Sequence, residues 1–121
     1  RKLTSNARVD WHDFMNELRD SRLCFSPFGY GEVCWRDVEA HATGSALVKQ
    51  DMGHLRTAPD LYVPGETYLP IRWDFSNLEE VTSHLLADED RRRAIASNAF
   101  DRIANYFLEE RFVHDMAYLF R

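Results

Sequence analysis

No apolar run in this 121-residue chain approaches the roughly 20 residues needed to cross a bilayer, and no secretory leader stands at its start. A membrane-spanning role is therefore not expected. Cysteine is scarce: Cys24 and Cys34 are the only two. That excludes a disulfide framework and a thiolate metal site, and fits two reduced thiols of a cytoplasmic protein. Five histidines occur, His12, His41, His54, His84 and His114, but no two share a helix face at metal-ligand spacing. No metal and no other cofactor is expected. Positive charge is in deficit, with 15 Lys and Arg against 20 Asp and Glu, for a net charge of -5. The longest basic tract, Arg91-Arg92-Arg93, is flanked by Asp88, Glu89 and Asp90 and reads as a solvated helix start, so a nucleic-acid partner is not expected. The serines lack a nucleophile-elbow pattern, and neither cysteine has a histidine close by in sequence.

What is present is a globular composition, 45% hydrophobic and 29% charged, in one domain's length. Residues 1–9 read as a polar loop. Asp10 is placed to cap a helix whose apolar face is Trp11, Phe14, Met15 and Leu18, spaced i, i+3, i+4 and i+7. Leu23-Cys24-Phe25 reads as a buried strand, a helix is expected from about Gly31 to a stop at Gly44, and Ala46-Leu47-Val48 reads as the next parallel strand. A polar loop, 51–60, follows, with a helical turn expected around Met52 to Leu55. Pro64-Gly65 signals a turn, and Tyr68 to Trp73 reads as a third strand, in which Pro70 favours an edge or irregular position. Ser76 and Glu79 stand at capping-box spacing before a helix burying Leu78, Val81, Leu85 and Leu86. A second helix, 88–107, buries Ile95, Ala99, Ile103 and Phe107, and a third, 109–120, buries Phe112, Val113, Met116 and Phe120. The fold expected is α/β: a partial Rossmann-like parallel sheet of about three strands, flanked by helices, with a helical C-terminal tail.

The segment 26–51 carries the candidate site. Gly29-Tyr30-Gly31 lies between the first strand and its helix, where α/β proteins bind ligands and where helix N–H groups favour an anion. The turn matches neither the Walker nor the dinucleotide glycine pattern. Continued as a helix from Glu32, the chain sets Glu32, Arg36, Glu39 and Thr43 on one narrow stripe, beside an expected core face of Cys34, Val38 and Ala42. That stripe reads either as a solvent-facing ion-pair ladder or as the edge of a ligand site, and the glycines favour the second. In a ligand site, Glu39 suits paired hydroxyls such as those of a ribose, and Arg36 suits a phosphate. Lys49 and Asp51, at the end of the next strand, are expected to face the same rim. There Lys49 is either a phosphate partner or a surface cation. His54 is the histidine nearest this rim.

Pro27-Phe28-Gly29-Tyr30-Gly31-Glu32, then Arg36-Asp37-Val38-Glu39-Ala40 and Gly44, resemble the donor-binding segment of GT-B glycosyltransferases of the "glycosyl transferases group 1" type. The likeness spans about residues 10–107 and is sharp from Pro27 to Asp51. The resemblance implies a C-terminal Rossmann-like domain that binds a nucleotide-sugar donor and passes its glycosyl group to an acceptor, with no protein-bound metal. It implies that Glu39 holds the ribose, that Glu32 acts at the donor sugar, and that the Gly29 to Glu32 backbone lies near the diphosphate. Six residues separate Glu32 from Glu39, where the family motif has seven.

The chain opens without methionine and closes on Phe120-Arg121 within a helical pattern, so a longer two-domain polypeptide is expected, with this part inactive alone. A truncated parallel sheet leaves an edge through which copies are expected to associate. The alternative to an enzyme is a non-catalytic α/β module that uses the same surface to bind a protein or a sugar.

Overall fold

A computed structural model describes residues 7–120. The first helix, α1 (Trp11–Asp20), starts as expected at Asp10, whose carboxylate accepts from the His12 N–H at 2.9 Å. It leads into strand β1 (Leu23–Phe25), helix α2 (Trp35–Thr43) and strand β2 (Ala46–Gln50). Gly44 ends α2 with a φ of 79°, a left-handed position that glycine adopts without steric cost. Strand β3 (Tyr68–Ile71) completes a three-stranded parallel sheet of order β1-β2-β3. Pro70 sits opposite Lys49 on the edge strand β3, the position that a residue without an N–H tolerates.

Both faces of the sheet are covered, and β2 is buried at every residue. Side-chain alternation sends Leu47 to a core formed with Leu18, Ala40, Tyr62 and Tyr68, and sends Ala46 and Val48 to a second core with Leu69, Ile71, Leu85 and Ile95. The second core is closed by α3 (Leu78–Ala87) and α4 (Glu89–Leu108). From β2 to β3 the chain runs through residues 51–67 without a helix. Inward polar contacts hold it: Thr67 Oγ1 donates to Leu61 O at 2.7 Å, and the Tyr68 hydroxyl accepts the Met52 N–H at 3.0 Å. Where a helical turn was expected, Met52 to Leu55 forms one hydrogen-bonded turn, closed by Leu55 N–H to Met52 O at 3.0 Å and not continued as a helix, with Met52 fully buried.

Several expectations are corrected. β1 buries only Cys24, because it is an edge strand of three residues. α3 is preceded by Asn77, and the Ser76 box does not form: Ser76 N–H bonds Asp74 and Asn77 accepts from Arg72 N–H. Leu86 and Phe107 are exposed. Within Arg91-Arg92-Arg93, Arg92 is buried and donates to the Leu85 and Leu86 carbonyls, satisfying the end of α3. The last helix is split into α5 (Arg111–Met116) and a 3₁₀ turn over Ala117–Phe120. Phe112, Val113, Met116 and Phe120 are all exposed; α5 packs chiefly against α4, where Phe112 meets Phe107 and Asp115 accepts from Tyr106. The polar loop expected over residues 1–9 lies mostly outside the described residues.

On α2 the buried positions are Asp37, Ala40 and His41, whereas the expected core residue Ala42 is exposed and Cys34 and Val38 are half-buried. His41 Nε2 lies 3.1 Å from the Leu61 carbonyl. A carbonyl only accepts, so Nε2 carries the proton and Nδ1, which has no partner among the described residues, is bare. Burial holds the His41 pKa below its ordinary value, against the opposing pull of the Leu61 carbonyl and Asp37. The unfolded chain therefore takes up the proton first. Stability is full above about pH 6.5 and falls as pH drops from there toward the lower folded-state pKa. Thermal unfolding should show Tm declining between pH 7 and pH 5, and His41→Gln should flatten that slope; an unchanged slope would remove His41 as its source.

Candidate functional site

Lys49 is where the structure departs most from the sequence expectation. Its side chain does not face the rim. It shares the buried face of β2 with Leu47 and is fully enclosed beneath α2. Nζ lies 3.2 Å from Asp37 Oδ2, donates to Ser26 O at 3.0 Å, sits 3.7 Å from Cys34 Sγ and lies 4.9 Å from the Phe28 ring centroid. Asp37 is equally enclosed. Its carboxylate also accepts the Tyr62 hydroxyl at 2.6 Å and the Cys34 N–H at 3.1 Å. That last bond caps α2 at Cys34, so the helix begins at Trp35 and not near Gly31. Burial, followed by the bond to Asp37, raises the Tyr62 pKa, so its hydroxyl stays protonated and donates.

This cluster anchors the segment 26–34 that carries the glycines. Ser26 is tied through its carbonyl, Phe28 through its ring and Cys34 through its N–H. Gly29, Tyr30 and Gly31 are exposed above it. Neither glycine has a positive φ, and a Cβ at Gly29 would meet nothing within 4 Å. Glu32 is in this loop and not on the helix, so the stripe of Glu32, Arg36 and Glu39 is divided. Glu32 turns to His54, with Oε1 2.8 Å from Nε2. Asp51 is exposed and accepts the Gly53 N–H at 2.7 Å, shaping the turn that presents His54. Arg36 is exposed in the first turn of α2. Cys24 is buried, which pushes its thiol pKa up to about 11 and leaves it a poor nucleophile.

Glu39 goes elsewhere. Half-buried on α2, it lines a cavity of about 630 Å³ together with Arg8, Val9, Asp10, Trp11 and Phe14 at the start of α1. The Trp11 indole is 66% exposed, so it offers an open ring face where the sequence pattern expected a core residue. Two larger cavities exist. One, about 710 Å³, lies between residues 57–60 and the α4–α5 region, and the other, about 740 Å³, between the α1–β1 turn and α4. Neither contains Glu32, Glu39, Lys49 or the glycine turn. The Glu39 cavity joins a carboxylate, a guanidinium and an indole between the start of α1 and the middle of α2; Asp51, Arg72 and Trp73 bring the same three groups together in another cavity, of about 480 Å³, just past β2 and β3. Asp37, Tyr62 and Trp11 were not singled out from the sequence as site residues. An acid three positions after the residue that precedes a helix was the available signal for Asp37.

Among the described residues, no group of three or more His, Cys, Asp or Glu side chains is placed to hold a metal ion, and no helix is long and apolar enough to cross a membrane.

Breaking a buried ion pair from one side strands the other charge. Asp37→Asn should therefore destabilise the protein by about 3–5 kcal/mol, and the double variant Asp37→Asn with Lys49→Met should recover part of that loss. Urea unfolding of the two single variants and the double variant measures the coupling. Additive losses would show that the pair does not act as a unit.

Comparison with known proteins agrees with the resemblance drawn from the glycine turn, Glu39-Ala40 and Gly44. Residues 2–117 match the family described as glycosyl transferase-like. No curated protein and no solved structure matches the chain. A match that covers nearly the whole sequence settles the family: the chain belongs to the glycosyl transferase-like proteins, whose kind of chemistry moves a sugar from a donor to an acceptor.

Proposed function

We propose that this chain carries the donor-binding surface of a glycosyltransferase that uses a nucleoside diphosphate sugar. The observation that carries this reading is the cavity in which Glu39 meets Trp11 and Arg8. A carboxylate accepts two hydroxyl donors from one ribose, an exposed indole stacks a base, and a guanidinium neutralises part of a diphosphate. The family membership favours a sugar-bearing ligand over a dinucleotide.

The remaining assignments follow from position. The diphosphate lies along Gly29, Tyr30 and Gly31, whose open surface admits a close approach, near the first-turn N–H groups of α2 and Arg36. Glu32 faces the glycosyl group. Lys49 acts from below: with its ammonium committed to Asp37 and Ser26, it fixes the loop. Asp51 acts through the turn it shapes. Rate enhancement comes from positioning the donor and stabilising the leaving diphosphate, without a covalent enzyme intermediate.

Glu39→Ala should weaken nucleoside diphosphate binding by at least about tenfold, and Trp11→Ala by a similar factor, from a stacking contribution of about 1–3 kcal/mol. Calorimetric titration of the full-length protein with a panel of nucleoside diphosphates measures both. Unchanged affinity in Glu39→Ala would remove the ribose assignment. A protein that ignores every nucleotide while copurifying with a protein partner would instead favour a binding module.

A further inference from the structure

Beyond the Glu39 cavity, a second group of side chains stands at the sheet's carboxyl edge. Trp73, just after β3, is 52% exposed. Its ring system packs edge-on against Phe28, with centroids 4.3 Å apart at 70°, and His54 lies 5.6 Å away at 55°. His54 in turn bonds Glu32, and both side chains are 43% exposed. An open indole, an imidazole and a carboxylate thus meet at one corner, contributed by three separate loops: 28–34, 51–55 and 72–77.

The corner is built from beneath. Phe28 is held by the Lys49 ammonium at 4.9 Å from its centroid and by Gln50 Oε1, which accepts the Phe28 N–H at 3.3 Å. The Trp73 loop is pinned by Arg72 N–H to Asn77 Oδ1 at 2.8 Å and by Phe75 N–H to Arg72 O at 3.0 Å. Phe75 takes a φ of 60°, a left-handed conformation that bulky side chains rarely adopt, and its ring meets Phe25 edge-on at 6.0 Å.

We propose that Trp73, Glu32 and His54 form a pyranose-binding corner. The ring face of Trp73 covers the C–H face of a hexose, and the Glu32 carboxylate accepts from its hydroxyls in charge-assisted bonds. His54 is a positioning residue that holds that carboxylate in place. Aromatic and carboxylate groups side by side match a pyranose, which is apolar on its faces and hydroxylated at its rim, better than they match a flat apolar ligand or an anion. The inference rests on the glycosyltransferase reading only for the source of the ring, which is either the donor's glycosyl group or an acceptor glycan.

The test is calorimetric titration of the full-length protein with uridine, guanosine and adenosine diphosphates, with the corresponding diphosphate hexoses, and with methyl hexopyranosides. Trp73→Ala should weaken a hexose-bearing ligand by at least about tenfold while leaving diphosphate affinity within about twofold. A loss confined to the diphosphate hexoses identifies the donor's ring, and a loss on the methyl hexopyranosides identifies the acceptor's. His54→Ala should lower the same affinity, and His54→Gln, which keeps an N–H donor, should restore it. Glu32 and His54 are substantially exposed and Trp73 about half so, so the His54 variants should leave Tm unchanged and Trp73→Ala, which gives up the Phe28 contact, should lower it by only a few degrees with unfolding still cooperative. Methyl hexopyranoside binding through Trp73 without any nucleotide binding would sink the nucleotide reading and leave the corner standing. Nucleotide binding through Glu39, with hexose affinities equal in wild type and Trp73→Ala, would overturn the corner. So would a wild-type protein that binds none of the hexose ligands.

Discussion

The buried ion pair between Lys49 and Asp37 constrains everything at this end of the molecule. Two charges removed from water impose a desolvation cost of several kcal/mol each, which only close contact and added hydrogen bonds offset. Lys49 has the Ser26 carbonyl and the Phe28 ring besides its counter-ion, and Asp37 has the Tyr62 hydroxyl and the Cys34 N–H. Each added partner belongs to a different piece of chain. β1's exit, the glycine loop, the start of α2 and the long connection 51–67 are all drawn to one point. Such a pair adds little net stability over apolar side chains of the same shape, but it admits few arrangements of its surroundings. The loop surface above it, with Gly29, Glu32 and the approach to α2, inherits that restriction.

Much of the fold was legible from periodicity and punctuation. Asp10 and the apolar stripe after it located α1, Gly44 located the end of α2, and Pro70 located the sheet edge. The errors share a physical origin. Helical periodicity alone carried α2 back to Glu32, because nothing in the spacing revealed that the Asp37 carboxylate would cap at Cys34. Lys49 was read as a rim cation because it is charged and ends an apolar run. Strand alternation pairs it with Leu47, on the face α2 covers, and a neutralising acid one turn into that helix was the missing clue. The C-terminal apolar residues Phe112, Val113, Met116 and Phe120 have helical spacing, yet spacing reports which side chains share a face and not what covers it.

The candidate site was legible in part. Glu39 was found by residue type and by resemblance, but its surroundings were not, since Trp11 has the spacing of a core residue on α1 and is exposed in the fold. Glu32 and His54 are 22 positions apart in sequence and meet where the turn shaped by Asp51 presents His54. Trp73 carried no motif at all. The Glu39 cavity lies between two helices, the contacts of Glu32, His54 and Trp73 join loops that follow different strands, and such contacts leave no local pattern in the chain.

In the reading proposed, the chain has two tasks, a nucleoside at Glu39 and a sugar ring at Trp73. The most direct measurement is a crystal structure of the full-length protein with a bound nucleoside diphosphate sugar. Ribose hydroxyls within hydrogen-bond distance of the Glu39 carboxylate and a base over the Trp11 ring are the expected result. A nucleotide seated in either larger cavity, with Glu39 facing solvent, would contradict it.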